Sequence, residues 1–182
     1  MEDKQQIIEK VMKPIKKAGF DVYFVGGCVR DKLLGKVPHD YDLTTSAKPE
    51  DLHKIFSKFS NVSDNSEKFG VTMPIITFED DIKEEIEIAT FRKDVSKGRK
   101  PKVSLDASIF EDASRRDFTI NALYEDMDGN IIDPTGLGLN DIKDGIIRFV
   151  GNADERLEED PLRALRLIRF VSKLGFSFKE NE

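Results

Sequence analysis

The sequence predicts a domain of the α/β or α+β class built on a mixed sheet. Three observations carry that prediction. Segments of strand and helix periodicity alternate along the chain. Apolar residues make up 38% of the 182 residues, enough for a core. Charged residues reach 35%, but they are spread through the periodic segments and form no long tail, which argues for a folded chain over a disordered one. The length suits one domain, or one domain plus part of another.

Each element has its own signal. Residues 4–17 place Ile7, Ile8, Val11, Met12 and Ile15 on one stripe, with Gly19 as the stop, and predict a helix. DVYFV (21–25) predicts a strand, and GGCVRDKLLG (26–35) a helix opened and closed by glycine. DYDL (40–43) predicts a short strand, and Pro49 starts a helix through Phe56. Residues 71–78 and EIEIATF (85–91) predict neighbouring strands. A basic loop with Gly98 and Pro101 follows, expected to be poorly ordered without a ligand. SRRDFTINAL (114–123) predicts a helix, and NIIDP (130–134) and GIIRFVG (145–151) predict strands. DPLRALRLIRFVSKLG (160–175) is the clearest helix, with Asp160 at the N-cap, Pro161 at the first helical position, and Leu165, Ile168 and Val171 as the face toward the core.

Composition excludes several classes. The lone Cys28 rules out an intramolecular disulfide and a multi-cysteine zinc site. The opening MEDKQQIIEK has no apolar run of signal-peptide length, and no stretch approaches a membrane span, so a cytoplasmic protein is expected. The net charge of −6 argues mildly against a nucleic-acid partner, but the charge is uneven. Residues 79–87 carry six acids and one lysine, residues 92–102 six bases and one acid, and arginines recur from Arg148 to Arg169.

Three motifs bear chemistry. A strand ending in Gly26-Gly27 and feeding a helix points free N–H groups outward and admits a phosphate, with Arg30 one turn on. The same residues also fit a simple tight turn. Asp40 and Asp42, two apart on a strand, share a face, and a divalent cation such as Mg²⁺ relieves their repulsion. A solvated turn after Pro38 explains them too. Glu87 is out of phase with Ile86 and Ile88 and is either a third carboxylate or simply solvated. Arg163, Arg166 and Arg169 form an i, i+3 row that either lines a solvated flank or presents forks to phosphates and bases.

Taken together and in order, GGCVRDKLLG, HDYDLTTSAKPEDL, EIATFRKD, RRDFTINAL, IIDPTG and EEDPLRALRLIRF resemble the class II tRNA nucleotidyltransferases. These are the CCA-adding enzymes and their bacterial poly(A) polymerase relatives, within the polymerase-β-like nucleotidyltransferase superfamily. The resemblance spans roughly residues 20–176. It implies an α+β polymerase-β-like fold with a roughly five-stranded mixed sheet, a catalytic head over 1–150, and the start of a helical neck over 151–182. Longer members continue with helical domains that grip the tRNA, so a truncated chain is expected.

The resemblance also implies roles. Gly26, Gly27 and Arg30 would contact the triphosphate, and Asp40 and Asp42 would hold catalytic Mg²⁺ with Glu87 as the third carboxylate. Arg115, Arg116, Asp117 and Asn121 would handle sugar and phosphate, and Asp160 and Arg163 would read the incoming base, with Arg166 and Arg169 adding contacts. The basic segment 92–102 falls where the family carries a loop involved in choosing the nucleotide. The partners would be CTP, ATP and the tRNA 3′ end, whose hydroxyl attacks the α-phosphate by a two-metal mechanism as pyrophosphate leaves. Alternatives are a poly(A) polymerase, an enzyme adding only CC or only A, or a non-catalytic RNA-binding module of the same fold. No membrane partner is expected, and oligomeric state is not legible.

Overall fold

The computed structural model describes residues 4–59, 68–96, 98 and 101–180. Helix α1 (Lys4–Ile7) passes through a π-turn at Ile8–Met12 into α2 (Lys13–Lys17). Pro14 accounts for the widening, because its ring lacks an N–H and crowds the carbonyl one turn back. The Lys13 N–H instead reaches Ile8 O. Ile7, Val11, Met12 and Ile15 of the expected stripe are fully buried, in one cluster with Phe24, Leu43 and Ile88 of the sheet.

In chain order there follow β1 (Val22–Val25), α3 (Gly27–Leu33), β2 (Leu43–Thr45), α4 (Pro49–Ile55) and β3 (Val71–Thr72). Next come a hairpin of β4 (Ile75–Thr77) and β5 (Lys83–Glu85), then β6 (Ile88–Thr90), then a hairpin of β7 (Lys93–Asp94) and β8 (Val103–Ser104). α5 (Ile109–Ser114), a 3-10 turn at Thr119–Asn121, β9 (Tyr124–Glu125), β10 (Ile131–Ile132) and α6 (Gly138–Asp144) complete the sheet and its cover. β11 (Ile146–Ile147), α7 (Ala153–Glu159), α8 (Leu162–Leu174) and β12 (Ser177–Phe178) end the described chain.

One mixed sheet holds six strands in the order β10–β9–β1–β2–β6–β3, against the roughly five expected. Its register aims the site. β1 runs antiparallel to β2, so the end of β1 meets the start of β2, and the Val25 N–H donates to Asp42 O at 3.0 Å. β2 runs parallel to β6 with Leu43 opposite Ile88, which sets Asp42 and Glu87 side by side just ahead of their strands. β9 runs antiparallel to β1, and the Gly26 N–H donates to Leu123 O. Gly26, Asp42, Glu87 and the segment before β9 therefore share one edge of the sheet.

Several expected boundaries are corrected. Residues 71–78 split into β3 and β4 at Pro74, which has no N–H to give a ladder. The strand expected at 40–43 begins at Leu43, leaving Asp40 and Asp42 in the extended lead-in. Their alternation survives there: Tyr41 packs on Phe24 with ring centroids 5.5 Å apart, and the two flanking aspartates are exposed. The helix expected at 114–123 is displaced. Ser108 and Glu111 form a capping box that starts α5 early, and the 117–119 backbone pairs with 148–150 through Val150 N–H to Asp117 O and Thr119 N–H to Arg148 O. The strand expected at 145–151 lies outside the main sheet, where β11 pairs in parallel with β12.

The last helix also differs. Pro161 occupies the N-cap, and Asp160 ends α7 while its Oδ1 accepts the Leu162 N–H at 3.1 Å. Leu165 and Ile168 are 63% and 64% exposed, so they do not face the core. The packed row is Leu167, Phe170, Val171 and Leu174. Phe170 meets Phe118 edge-on at 5.5 Å, and Phe118 meets Phe149 at 5.0 Å, which ties α8 to the sheet domain. Of the basic loop, Lys97, Arg99 and Lys100 lie outside the described residues; its base is the β7–β8 hairpin, extended by Val95 N–H to Lys102 O.

Candidate active site

The shared sheet edge opens into a cleft of about 670 Å³, closed on its far side by α8. Gly26, Gly27, Arg30, Asp42, Arg115, Arg116, Asp117, Asn121, Asp160, Arg163, Arg166 and Arg169 all line it. Of the expected site residues only Asp40 and Glu87 stand outside the lining. Eight bases face four acids across the cleft, in a chain whose net charge is −6. That local excess suits a polyanion, whatever the total.

At the floor, Gly26 has φ 75° and ψ −123°, a conformation that favours glycine. A Cβ there would sit 3.8 Å from Arg116 Nη1. Asp42 and Glu87 are open to solvent, and no hydrogen bond or ion pair from a described residue reaches either carboxylate. The cleft walls push the Asp42 carboxyl up, Asp40 adds to this, and Arg116 opposes it. Glu87 is likewise raised, first by desolvation and then by Asp42, against Arg92. The three acids are thus coupled in charge. Among the described residues no group of three or more His, Cys, Asp or Glu side chains is set to hold a metal ion.

One wall is arginine. Asp112, fully buried, accepts from Arg116 Nη2 at 2.9 Å and from Tyr124 Oη at 2.8 Å. Burial pushes Asp112 up, but Arg116, Arg115 and Tyr124 together carry its carboxyl below the ordinary range. Arg92 is lowered by desolvation and by Arg115.

Helix α8 makes the opposite wall. Arg163 Nη1 donates to Glu159 Oε2 at 2.7 Å and to Arg156 O at 2.8 Å. Arg166 pairs with Asp117 Oδ2 at 2.6 Å, and Arg169 lies over the Phe170 ring. Arg30 is 5% exposed: its Nη1 donates to Asn121 Oδ1 at 2.7 Å, its Nε and Nη2 to Asp31, and its guanidinium stacks 5.2 Å from the Phe170 centroid. Its described donors serve the scaffold of the cleft.

The Poly A polymerase head domain family matches residues 22–148. The chain belongs to that family. This head domain is 46% identical over 169 residues to the CCA-adding enzyme of Ligilactobacillus salivarius, covering 91% of this chain and 40% of that protein. It is 43% identical over 180 residues to poly(A) polymerase I of Escherichia coli O157:H7, covering 91% of this chain and 37% of that one. The Bacillus stearothermophilus CCA-adding enzyme, solved in complex with CTP, superposes with TM-score 0.82 at 41% identity, over 96% of this chain and 40% of that chain. The chain thus spans about two fifths of the length of these relatives.

Sequence reasoning missed five contributors to the cleft. Phe69, Val103, Phe170 and Lys173 line it, and Asp112 anchors its arginines; Arg92, also in the lining, opens the basic segment 92–102. Phe170 and Lys173 were legible only as parts of a helix. Asp112 had a faint signal, standing three and four residues before Arg115 and Arg116, but within a capping-box helix it reads as a surface acid.

Proposed function

We propose that the chain is the nucleotide-adding head of a tRNA nucleotidyltransferase, transferring CMP and AMP from CTP and ATP to the tRNA 3′ end with release of pyrophosphate. The observation that carries this is the facing of Asp42, unpaired among described residues, against an arginine wall across a cleft closed by Asp160 and Arg163. The Asp40–Asp42 pair fits Mg²⁺, which takes a few carboxylates and completes its shell with phosphate oxygens and water. Bound there beside Glu87, the metal would supply charge neutralisation and acidify the attacking hydroxyl.

The chain's own residues do the rest. Arg116 and Arg115 face the phosphates beside the open backbone of Gly26 and Gly27. Arg30 holds Asn121, and Asn121 donates to Asp117, so the sugar-side residues are held by the floor. Asp160 accepts from an exocyclic amine, and Arg163, engaged among described residues only through Nη1, donates to a ring nitrogen or carbonyl. Residues 151–182 form the start of a helical neck after a head over 1–150, and the setting is cytoplasmic. No described helix is long and apolar enough to cross a membrane. Similarity to a poly(A) polymerase supports a second reading, repeated AMP addition.

The test is to incubate the chain with Mg²⁺ and tRNA lacking its 3′ end, first with each labelled triphosphate alone and then with CTP and ATP together. CTP and ATP incorporation, ending after three residues, supports CCA addition; a long ATP-only tail supports the second reading. No incorporation from any triphosphate, with the tRNA-gripping helical domains also present, overturns both.

A further inference from the structure

Asp112 lies behind the arginine wall and is not among the residues that line the cleft. Its side chain is 1% exposed, and five donors converge on its two oxygens. Oδ2 accepts from Arg116 Nε at 3.2 Å, Arg116 Nη2 at 2.9 Å and Tyr124 Oη at 2.8 Å. Oδ1 accepts from Arg115 Nε at 3.3 Å and from the Arg92 backbone N–H at 3.3 Å. Tyr124 Oη in turn accepts from Arg116 Nε at 3.0 Å. With Nε and Nη2 taken from behind, Arg116 has Nη1 left, and that nitrogen lies beside Gly26 at the cleft floor.

Three guanidinium groups crowded on one wall repel each other and would splay in solvent. A single buried carboxylate bonded to the side chains of Arg115 and Arg116 prevents this for those two, yet leaves the group with net positive charge; Arg92 meets it through its backbone N–H, and its own guanidinium donates from Nη1 to Phe69 O. We infer that Asp112, supported by Tyr124, is a positioning residue that holds Arg115 and Arg116 as a preformed receptor for a polyphosphate chain. It touches no substrate and acts through the arginines. The inference deepens the proposed function and rests on its assignment of this wall to the triphosphate.

The test is the affinity of the 182-residue chain for inorganic tripolyphosphate, by calorimetry, in wild type and in Asp112→Asn. Charge alone and positioning predict opposite signs. The amide removes a negative charge from the wall, so net charge alone would tighten binding. Loss of the anchor weakens it, by about tenfold or more if the charge-assisted bonds set the geometry. Affinity equal to or tighter than wild type overturns the inference. Should Asp112→Asn not fold, Tyr124→Phe decides: it keeps every charge, removes one donor to Asp112 and one acceptor for Arg116, and is expected to weaken binding about threefold. Unchanged affinity in that variant overturns the inference, as does a wild type that binds no tripolyphosphate. Nucleotide addition is read separately, with the tRNA-gripping helical domains present: tripolyphosphate binding without addition there overturns the proposed function and leaves the receptor standing.

Discussion

The carboxylate floor and the arginine wall face each other across one cleft, and both gather like charges. They treat them in opposite ways. Asp42 on the floor, and Asp40 and Glu87 next to it just outside the lining, are open to solvent, and the carboxyls of Asp42 and Glu87 are raised. In the wall, Asp112 is buried and wholly partnered, and its carboxyl is lowered. Repulsion left unrelieved by described protein groups suits a site that waits for a cation, whereas repulsion relieved within the fold gives a fixed surface.

The largest expected effect falls on the floor. Asp42→Ala should abolish nucleotide addition, a loss on the order of 10⁴-fold, while the thermal melt stays close to wild type because an exposed acid adds little to packing. Near-normal turnover with Mg²⁺ would mean that the floor is not where the chemistry happens, and the contrast between the two walls would lose its meaning.

Asp112→Ala should act on stability instead. Removing one partner of a buried charged network costs about 3–5 kcal/mol, because two arginines lose their shared carboxylate. Denaturant unfolding measures it. A cost below about 1 kcal/mol would place Asp112 among ordinary surface ion pairs and blur the distinction.

Asp160→Ala probes the third side of the cleft. Losing a charge-assisted hydrogen bond to the base typically costs roughly 1.5–3 kcal/mol. Selection of CTP and ATP over UTP and GTP should relax accordingly, with about 1 kcal/mol of stability lost through the released Leu162 N–H. If all four efficiencies fall together, Asp160 serves only the helix.

The smallest effects concern pH. A carboxyl whose pKa is raised on folding binds its proton more readily in the folded state, so its contribution favours the fold in acid and is lost as pH rises through the folded value. Asp42 is of this kind, so Asp42→Asn should be slightly more stable than wild type near neutrality without Mg²⁺, with the gain shrinking in acid. Asp112, lowered, has the opposite sign: its stabilisation is present above the unfolded value and is lost as pH falls through the folded one. Melting curves of Asp42→Asn and Asp112→Asn against pH should therefore deviate from wild type in opposite directions near neutrality. A shift of the same sign in both would show that the fold does not treat the two carboxylates in opposite ways.

Much of this was readable from the chain because it depends on local pattern. The apolar stripe of 4–17, the Gly26–Gly27 opening, the Asp-Tyr-Asp alternation and the order of the motifs are properties of near neighbours, and they led to the family and to most of the cleft lining. Where boundaries failed, a distant partner had intervened. Residues 117–119 do not continue a helix because their backbone pairs with 148–150. Leu165 and Ile168 carry helical spacing, but which face of α8 packs was settled by Phe170 finding Phe118.

Side-chain chemistry is local, so the residues suited to phosphate, metal and base could be picked out along the chain. Which of them meet depends on long-range packing. Asp42 stands beside Glu87 because β2 and β6 run parallel in one register, and beside Gly26 because β1 turns back against β2. Arg30, legible as a phosphate ligand, is drawn into the scaffold by Asn121, 91 residues away, and by the Phe170 ring. Asp112, legible as a surface acid, becomes the buried anchor of the wall because Tyr124 of β9 and the end of β6 close over it. The physical reason is common to all three. Burial and pairing turn a side chain's capacity into a role, and they are set by contacts between segments far apart in the chain.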